Sequence, residues 1–385
     1  MARSEPSTAL TTLALALAAA VSLGMARFSY GLLLPAMKAD LGWSYLVAGA
    51  MNTVNAAGYL AGALAMPALL RRFDARAVML AGALIAAAAL AAHGAVRSDG
   101  ALLALRLIAG LGSAGSFVGG GLLAARLAGR LGPGGLKPGF VLAGYYGGTG
   151  LGIVGSALVV PPLDWPQAWW ALGAACAAAT AFTAWGTRSL HAPPTPGAAR
   201  VPVRHWQMAW MLAGYTMFGL GYIGYMTFIV SLLREQGLAP AWVTAFFVLL
   251  GLGCVASSWL WAGVLQRWRG GQTLALLNGL LAVATLLPVL STAPVPVFVS
   301  GLMFGGVFLS VVASTTAFVR HNLPPAAWPA GIAAFTIVFA AGQVVGPVLV
   351  GLVADARGGL LGGLALSAAI LGLGAVFGSR QRALV

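Results

Sequence analysis

The stretch SLGMARFSYGLLLPAM, residues 22–37, holds a permanent positive charge, Arg27, eight residues before a proline in an otherwise apolar run. A second arginine, Arg106, opens the similarly apolar run RLIAGLGSAG. An arginine at the centre of a membrane helix costs roughly 2.5–3.5 kcal/mol on insertion scales, so each must face protein or water. Asn52, Asn55 and Tyr59 are spaced three and four apart, on one helical face, and Tyr30 follows Arg27 by three. A planar guanidinium among amides and phenols suits a small anion or carboxylate. The alternatives are structural: Arg27 as a strut to carbonyls and Asn55, Arg106 as a gating residue or a partner of Asp40 or Asp99, and the amides as helix glue.

Other side chains extend the candidate substrate contacts. All eight tyrosines fall in the first, second, fifth and seventh apolar stretches or at their ends, and Tyr146, Tyr222 and Tyr225 join Tyr30 and Tyr59 as candidates. A phenol offers an apolar face and a hydroxyl to a partly wet pocket. Thr149 and Gln343 add polar groups beside glycine stripes: Gly144, Gly148, Gly152 and Ser156 in one stretch, Gly342 and Gly346 in another. Such stripes let helix backbones approach closely, and we read them as packing or sliding surfaces. All seven acids, by contrast, fall in tails, loops or the ends of apolar stretches. The buried carboxylate that usually serves a proton relay or a cation site is therefore not expected. No clustered nucleophile and base, metal-ligand set or phosphate-binding loop is present, so neither an enzyme nor a cofactor is expected. Cys176 and Cys254 lie in apolar stretches and read as packing residues, and His93 likewise.

The elements that position these residues follow from composition. The chain is 60% hydrophobic and 7% charged, against roughly 25% charged in soluble domains. This is an all-α integral membrane protein in contact with the lipid bilayer. The net charge of +14 is scattered between apolar stretches rather than clustered, which argues against nucleic acid as a partner. Cutting at charges, prolines and glycines predicts twelve spans: 9–36, 44–70, 77–96, 101–127, 138–160, 166–187, 206–233, 241–265, 273–291, 295–319, 329–354 and 360–379. The first resembles a signal peptide but runs past any cleavage site, so it is expected to be retained. Trp165, Trp169, Trp206 and Trp268 cluster at span ends and read as interface belts.

With both termini inside, fifteen arginines and lysines lie on the cytoplasmic side and four outside, with Arg27 and Arg106 within spans. That bias sets orientation. Residues 1–187 then form an N-terminal six-helix bundle, the Pro-rich segment 188–205 a cytoplasmic linker, and 206–385 a C-terminal six-helix bundle. The halves are pseudo-symmetric: a shift of 197 lays SLGMARFSYG on GLGYIGYMTF, and a shift of 191 lays GLGSAG at 110–115 on GLMFGG at 301–306.

These features resemble the major facilitator superfamily (MFS). Arg106, Gly110, Gly112 and Ala114 stand in register with its fourth-span motif, and GQVVGP, ending in Gly346 and Pro347, is similar to its Gly-Pro motif. The loop PALLRRFDARAVML, with Arg72, Asp74 and Arg76, has the position of the family's basic loop between helices two and three. It departs from the pattern in carrying Arg71 where an Asp is usual and Asp74 where a Gly is usual. The opening ARFSYGLLLPAM and NAAGYLAGAL are most similar to the bacterial YbfB/YjiJ-type permeases. The resemblance implies secondary transport of a small-molecule substrate by alternating access, in a bacterial inner membrane and as a monomer. It implies gating roles for Arg106, Gly110, Gly148, Gly152, Gly346, Pro347, Arg72, Asp74 and Arg76. It also implies a cavity lined by spans one, two, five and seven, with three, six, nine and twelve peripheral. An organic anion is the leading substrate expectation; efflux of neutral or amphipathic compounds is the alternative.

The proposed orientation makes a direct prediction. A cysteine introduced as Gly197→Cys should resist impermeant maleimide in intact cells and react once the membrane is opened; labelling from outside would reverse the topology.

Overall fold

The computed structural model describes residues 7–131, 137–193, 203–356 and 359–384, which are helical with no strand among them. Much of the 188–205 linker, like Gly197, lies outside the described residues. Twelve helices follow the predicted spans: α1 Thr8–Leu41, α2 Tyr45–Leu70, α3 Ala75–His93, α4 Asp99–Gly129, α5 Pro138–Val159, α6 Trp165–Gly186, α7 His205–Glu235, α8 Pro240–Arg267, α9 Gln272–Leu290, α10 Pro294–Asn322, α11 Pro325–Ala356 and α12 Gly359–Arg380. Ten are long and apolar enough to cross a bilayer. The other two, α5 and α6, have 22 residues each, about 33 Å of helix. Their length suffices, but glycines and tyrosines in α5 and tryptophans in α6 lower their hydropathy. Pro35 does not close α1 as its position suggested. The helix continues through it to Leu41, and upstream of it lies a π-helical stretch, Ala20–Phe28.

Water is absent from the hydrocarbon core, so hydroxyls must find acceptors inside the protein. Thr12, Ser156, Thr180, Thr216 and Thr227 each donate to the carbonyl one turn back on their own helix. Ser22 instead donates across to Ser113 O at 2.8 Å and Ser116 to Ala18 O at 3.2 Å, tying α4 to α1.

The chain divides into two compact units: Met1–Ala36 with Val54–Gly197, and Met37–Thr53 with Ala198–Val385. In the first, α5 lies against α1 along its glycine stripe. A Cβ on Gly148 would collide with the carbonyl of Ala16, one on Gly152 with the carbonyl of Ala20, and one on Gly144 would come within 2.9 Å of Thr12 Cγ2. Similarly, α3 meets α4 where a Cβ on Gly82 would stand 2.5 Å from Gly112 O.

The second unit repeats this seam between α11 and α7. A Cβ on Gly342 would lie 2.7 Å from Thr216 O, and one on Gly346 would strike Leu220 O. The first turns of α2 belong to this unit. Asp355 Oδ1 accepts from Tyr45 N at 2.9 Å and Oδ2 from Leu46 N at 2.8 Å, the Thr53 hydroxyl donates to Val344 O at 2.7 Å, and a Cβ on Gly49 would meet Pro347 O.

Two sequence expectations need correction. Trp165 and Trp169 are not interface-belt residues, for both are buried. Trp169 stacks on the buried His93 at 4.5 Å, and His93 Nδ1 lies 2.6 Å from Ala89 O, a packing role for the histidine. Trp206, at 72% exposed, does lie on the surface. α6 packs closely on α3, since a Cβ on Gly173 would stand 2.7 Å from both Ala91 Cβ and Ala91 N.

The stripe geometry predicts how leucines will be tolerated. Gly148→Leu and Gly173→Leu both force main chains apart and should each lower the thermal midpoint sharply, by about 3 kcal/mol or more in stability. Gly139→Leu, also on α5 but with nothing within 4 Å of its Cβ position, should stay within about 0.5 kcal/mol. Thermal unfolding of the three purified variants reads the difference, and equal midpoints for Gly148→Leu and Gly139→Leu would show the seam to be slack.

Candidate functional site

Two buried arginines of the first unit, Arg27 and Arg106, meet at the π-helical stretch of α1. An expanded turn of this kind opens the backbone ladder and re-aims side chains, and such turns are frequent at functional sites. Arg27 lies in its last turn and is buried. Its guanidinium carbon stands 5.8 Å from the ring centroid of the half-buried Tyr59 on α2. Arg106, on α4, is also buried; its Nη1 donates to Ala26 O at 3.0 Å and its guanidinium carbon lies 4.8 Å from the Tyr30 ring. The Arg106 carbonyl in turn accepts from Asn55 Nδ2 at 3.0 Å. Arg106 therefore joins α1, α2 and α4 at one level, resting its charge on a phenol face and on main-chain oxygen. A Cβ on Gly110 would collide with Asn55 O, so that glycine sets how closely α4 approaches α2.

Thr149 is buried on α5, and its hydroxyl has no hydrogen-bond partner among the described residues. Its carbonyl faces Gly24 of the π-helical stretch, 2.6 Å from where a Cβ would be. Of the adjacent tyrosines, Tyr145 is the buried one, donating to Phe117 O at 2.5 Å, whereas Tyr146 is 41% exposed.

The basic loop uses its residues unequally. Asp74 caps α3, accepting from Arg76 N at 2.8 Å, and also accepts from Ala192 N at 2.9 Å. Arg76 donates from Nη2 to Ala184 O at 2.6 Å and from Nε to the Thr187 hydroxyl at 3.3 Å. Together they fasten the start of α3 to the end of α6 and the segment that follows it. Arg72 is exposed.

The second unit holds the remaining candidates in different chemistry. Asn52 Nδ2 donates to the Thr227 hydroxyl at 2.7 Å, so Asn52 and Asn55 serve different partners although they share a helical face. Gln343 donates to the Tyr222 hydroxyl, and both are buried. Around them runs an array of aromatic rings from α7, α10 and α11. Phe218 stacks on Tyr222 at 4.6 Å, Tyr215 on Phe339 at 5.0 Å, Tyr222 on Phe339 at 5.7 Å and on Phe308 at 6.1 Å, and Phe304 on Tyr225 at 4.0 Å. The Tyr225 hydroxyl shares a 2.6 Å hydrogen bond with Ser300. Sequence reading singled out the tyrosines and missed the phenylalanines. The signal was present on α7, where Tyr215, Phe218, Tyr222 and Tyr225 are spaced three, four and three.

A family model described as the uncharacterised MFS-type transporter YbfB matches residues 19–378. The chain belongs to this family of the major facilitator superfamily. It is a transporter embedded in the membrane, not an enzyme, and it carries a small-molecule substrate. A chloramphenicol resistance protein of Streptomyces lividans is 29% identical over 357 residues, covering 86% of this transporter and 87% of that protein. Among solved structures, the nucleoside transporter NupG has a TM-score of 0.72 at 15% identity, over 97% of each chain. A bacterial homologue of the human lysosomal transporter Spinster scores 0.70 at 14% identity, over 98% of this chain and 97% of its own. The human organic anion transporter MFSD10 scores 0.66 at 16% identity, over 97% and 100%. These three share the transporter's fold.

The Arg106–Tyr30 contact can be measured directly. Tyr30→Phe keeps the ring and should leave stability close to wild type, whereas Tyr30→Leu should cost about 1–2 kcal/mol, the range for a desolvated cation–π pair. A double-mutant cycle of Tyr30→Leu with Arg106→Met should return a coupling of that order, and a coupling near zero would mean that the ring only fills space.

Proposed function

We propose that this transporter exports small, uncharged or amphipathic compounds that carry an aromatic ring, by alternating access, from the cytoplasm of a bacterium across its inner membrane. The observation that carries this reading is the aromatic array of the second unit, with the polar Tyr222–Gln343 pair set among its rings. Stacked rings offer flat apolar contact, and one amide–phenol pair can exchange its internal hydrogen bond for one to a ligand. The Streptomyces relative supports it by the name it bears, since chloramphenicol is an uncharged nitroaromatic amide. The excess of basic residues supports cytoplasmic termini and a cytoplasmic linker between two six-helix halves. We take the working unit to be a monomer.

A second reading, transport of a small organic anion, is favoured by one observation: two buried arginines approach the same π-helical turn. Under it, Arg27, Asn55, Tyr59 and Thr149 meet the substrate from the first unit.

Accumulation assays separate the two. Cells expressing wild type should hold several-fold less chloramphenicol than controls, and Tyr222→Leu and Gln343→Leu should remove most of that difference at equal membrane abundance. Arg27→Gln should leave at least half of it. If neutral aromatics are not expelled, and an anion stabilises wild type but not a folded Arg27→Gln protein, the second reading replaces the first. Arg27→Lys would then show partial activity, because the charge survives without the bidentate fork.

A further inference from the structure

Along the first unit runs an apolar groove of about 430 Å³ between α2, α3 and α4, lined from Gly62, Leu111 and Ile85 at one end to Leu69, Phe73 and Ala77 at the other. Every lining residue is Gly, Ala, Val, Leu, Ile, Met or Phe. It runs about 10 Å along α2 from Gly62 to Leu69 and about 12 Å along α3 from Ala77 to Ile85, at 1.5 Å per residue, within the ~15 Å depth of one leaflet. At the Phe73 end stand Arg71 and Arg72. Both are exposed, and neither side chain makes a hydrogen bond among the described residues. The third arginine of that loop, Arg76, is already committed to Ala184 O and the Thr187 hydroxyl. Basic groups at the membrane surface beside an apolar cleft between helices match the two ends of an anionic lipid.

We propose that this groove is a binding site for one anionic phospholipid, with an acyl chain lying along α2 and α3 and the phosphate held by Arg71 and Arg72. Glycines form the floor of the groove, where the helices meet main chain to main chain: a Cβ on Gly82 would stand 2.5 Å from Gly112 O, and one on Gly62 2.7 Å from Ala114 Cβ. Above that floor the small and aliphatic lining leaves an apolar cleft, which hydrocarbon fills in a membrane more favourably than water does. Arg71 and Arg72 make the site selective for headgroup charge, while the lining makes it indifferent to the chemistry of the chain. The proposal stands apart from the transported substrate and is independent of either reading of it.

Native mass spectrometry of the purified protein, titrated with equal amounts of phosphatidylglycerol and phosphatidylcholine, tests it. Wild type should retain one phosphatidylglycerol with roughly ten-fold preference, the scale expected when two arginines meet an anionic headgroup. Arg71→Gln with Arg72→Gln should abolish the preference. Ala81→Trp, which fills the groove from an exposed lining position, should abolish retention while the thermal midpoint stays near wild type; Ala77→Phe gives a second filling variant. Arg267→Gln with Arg269→Gln removes the same charge from another exposed loop and should change nothing. Equal retention of both lipids by wild type, undiminished retention in both filling variants, or an equal loss with Arg267→Gln and Arg269→Gln would each overturn the proposal.

Discussion

The contact on which the rest depends is glycine against carbonyl. Lipid tails are as apolar as leucine, so the hydrophobic effect does not press helices together inside a bilayer, and close van der Waals approach must do it. Where Gly148 and Gly152 meet Ala16 and Ala20, main chain lies against main chain. The same approach favours Cα–H to oxygen contacts, each worth about 0.5–1 kcal/mol. The second unit repeats it with Gly342 and Gly346 on Thr216 and Leu220. In each case the residue after the first glycine is polar and buried: Thr149 in α5, Gln343 in α11. The seam thereby fixes where one polar group per half is presented. It also reaches Gly24, so the π-helical turn that carries Arg27 is set by the same packing.

How much of this was legible in the sequence depended on the kind of signal. Helix number and span limits were readable because an apolar run of about 20 residues has one use in a membrane. The glycine stripes were readable as packing surfaces from their spacing, although which helix each would meet was not, since spacing names a face and not its partner. Asn52 and Asn55 show the limit of face arguments. They lie three apart, yet one donates to Thr227 and the other to the main chain of Arg106. Trp169 was misjudged because a tryptophan near a span end and one under a neighbouring helix look alike in sequence. The π-helical stretch left no trace in AVSLGMARF beyond the arginine itself.

The two units distribute their polar chemistry differently. In the first, cationic groups rest on phenol faces and carbonyl oxygens: Arg106 on Tyr30 and Ala26 O, Arg27 beside Tyr59. In the second, amides and hydroxyls pair with one another among stacked rings: Gln343 with Tyr222, Asn52 with Thr227, Tyr225 with Ser300. The glycine seams recur in both units while the side chains differ: under the shift of 197, Arg27 falls on Gly224.

The carboxylate of Asp355 covering the first amides of α2 is a joint of another kind. A charge at an exposed helix N-terminus contributes about 0.3–1 kcal/mol and is screened by salt. It is a clasp whose hold depends on charge, whereas the glycine seams are welds of main chain against main chain. Ionic strength loosens the clasp and leaves the welds untouched. The beginning of α2 is held by both kinds of joint, since a Cβ on Gly49 would meet Pro347 O and one on Gly351 the carbonyl of Tyr45.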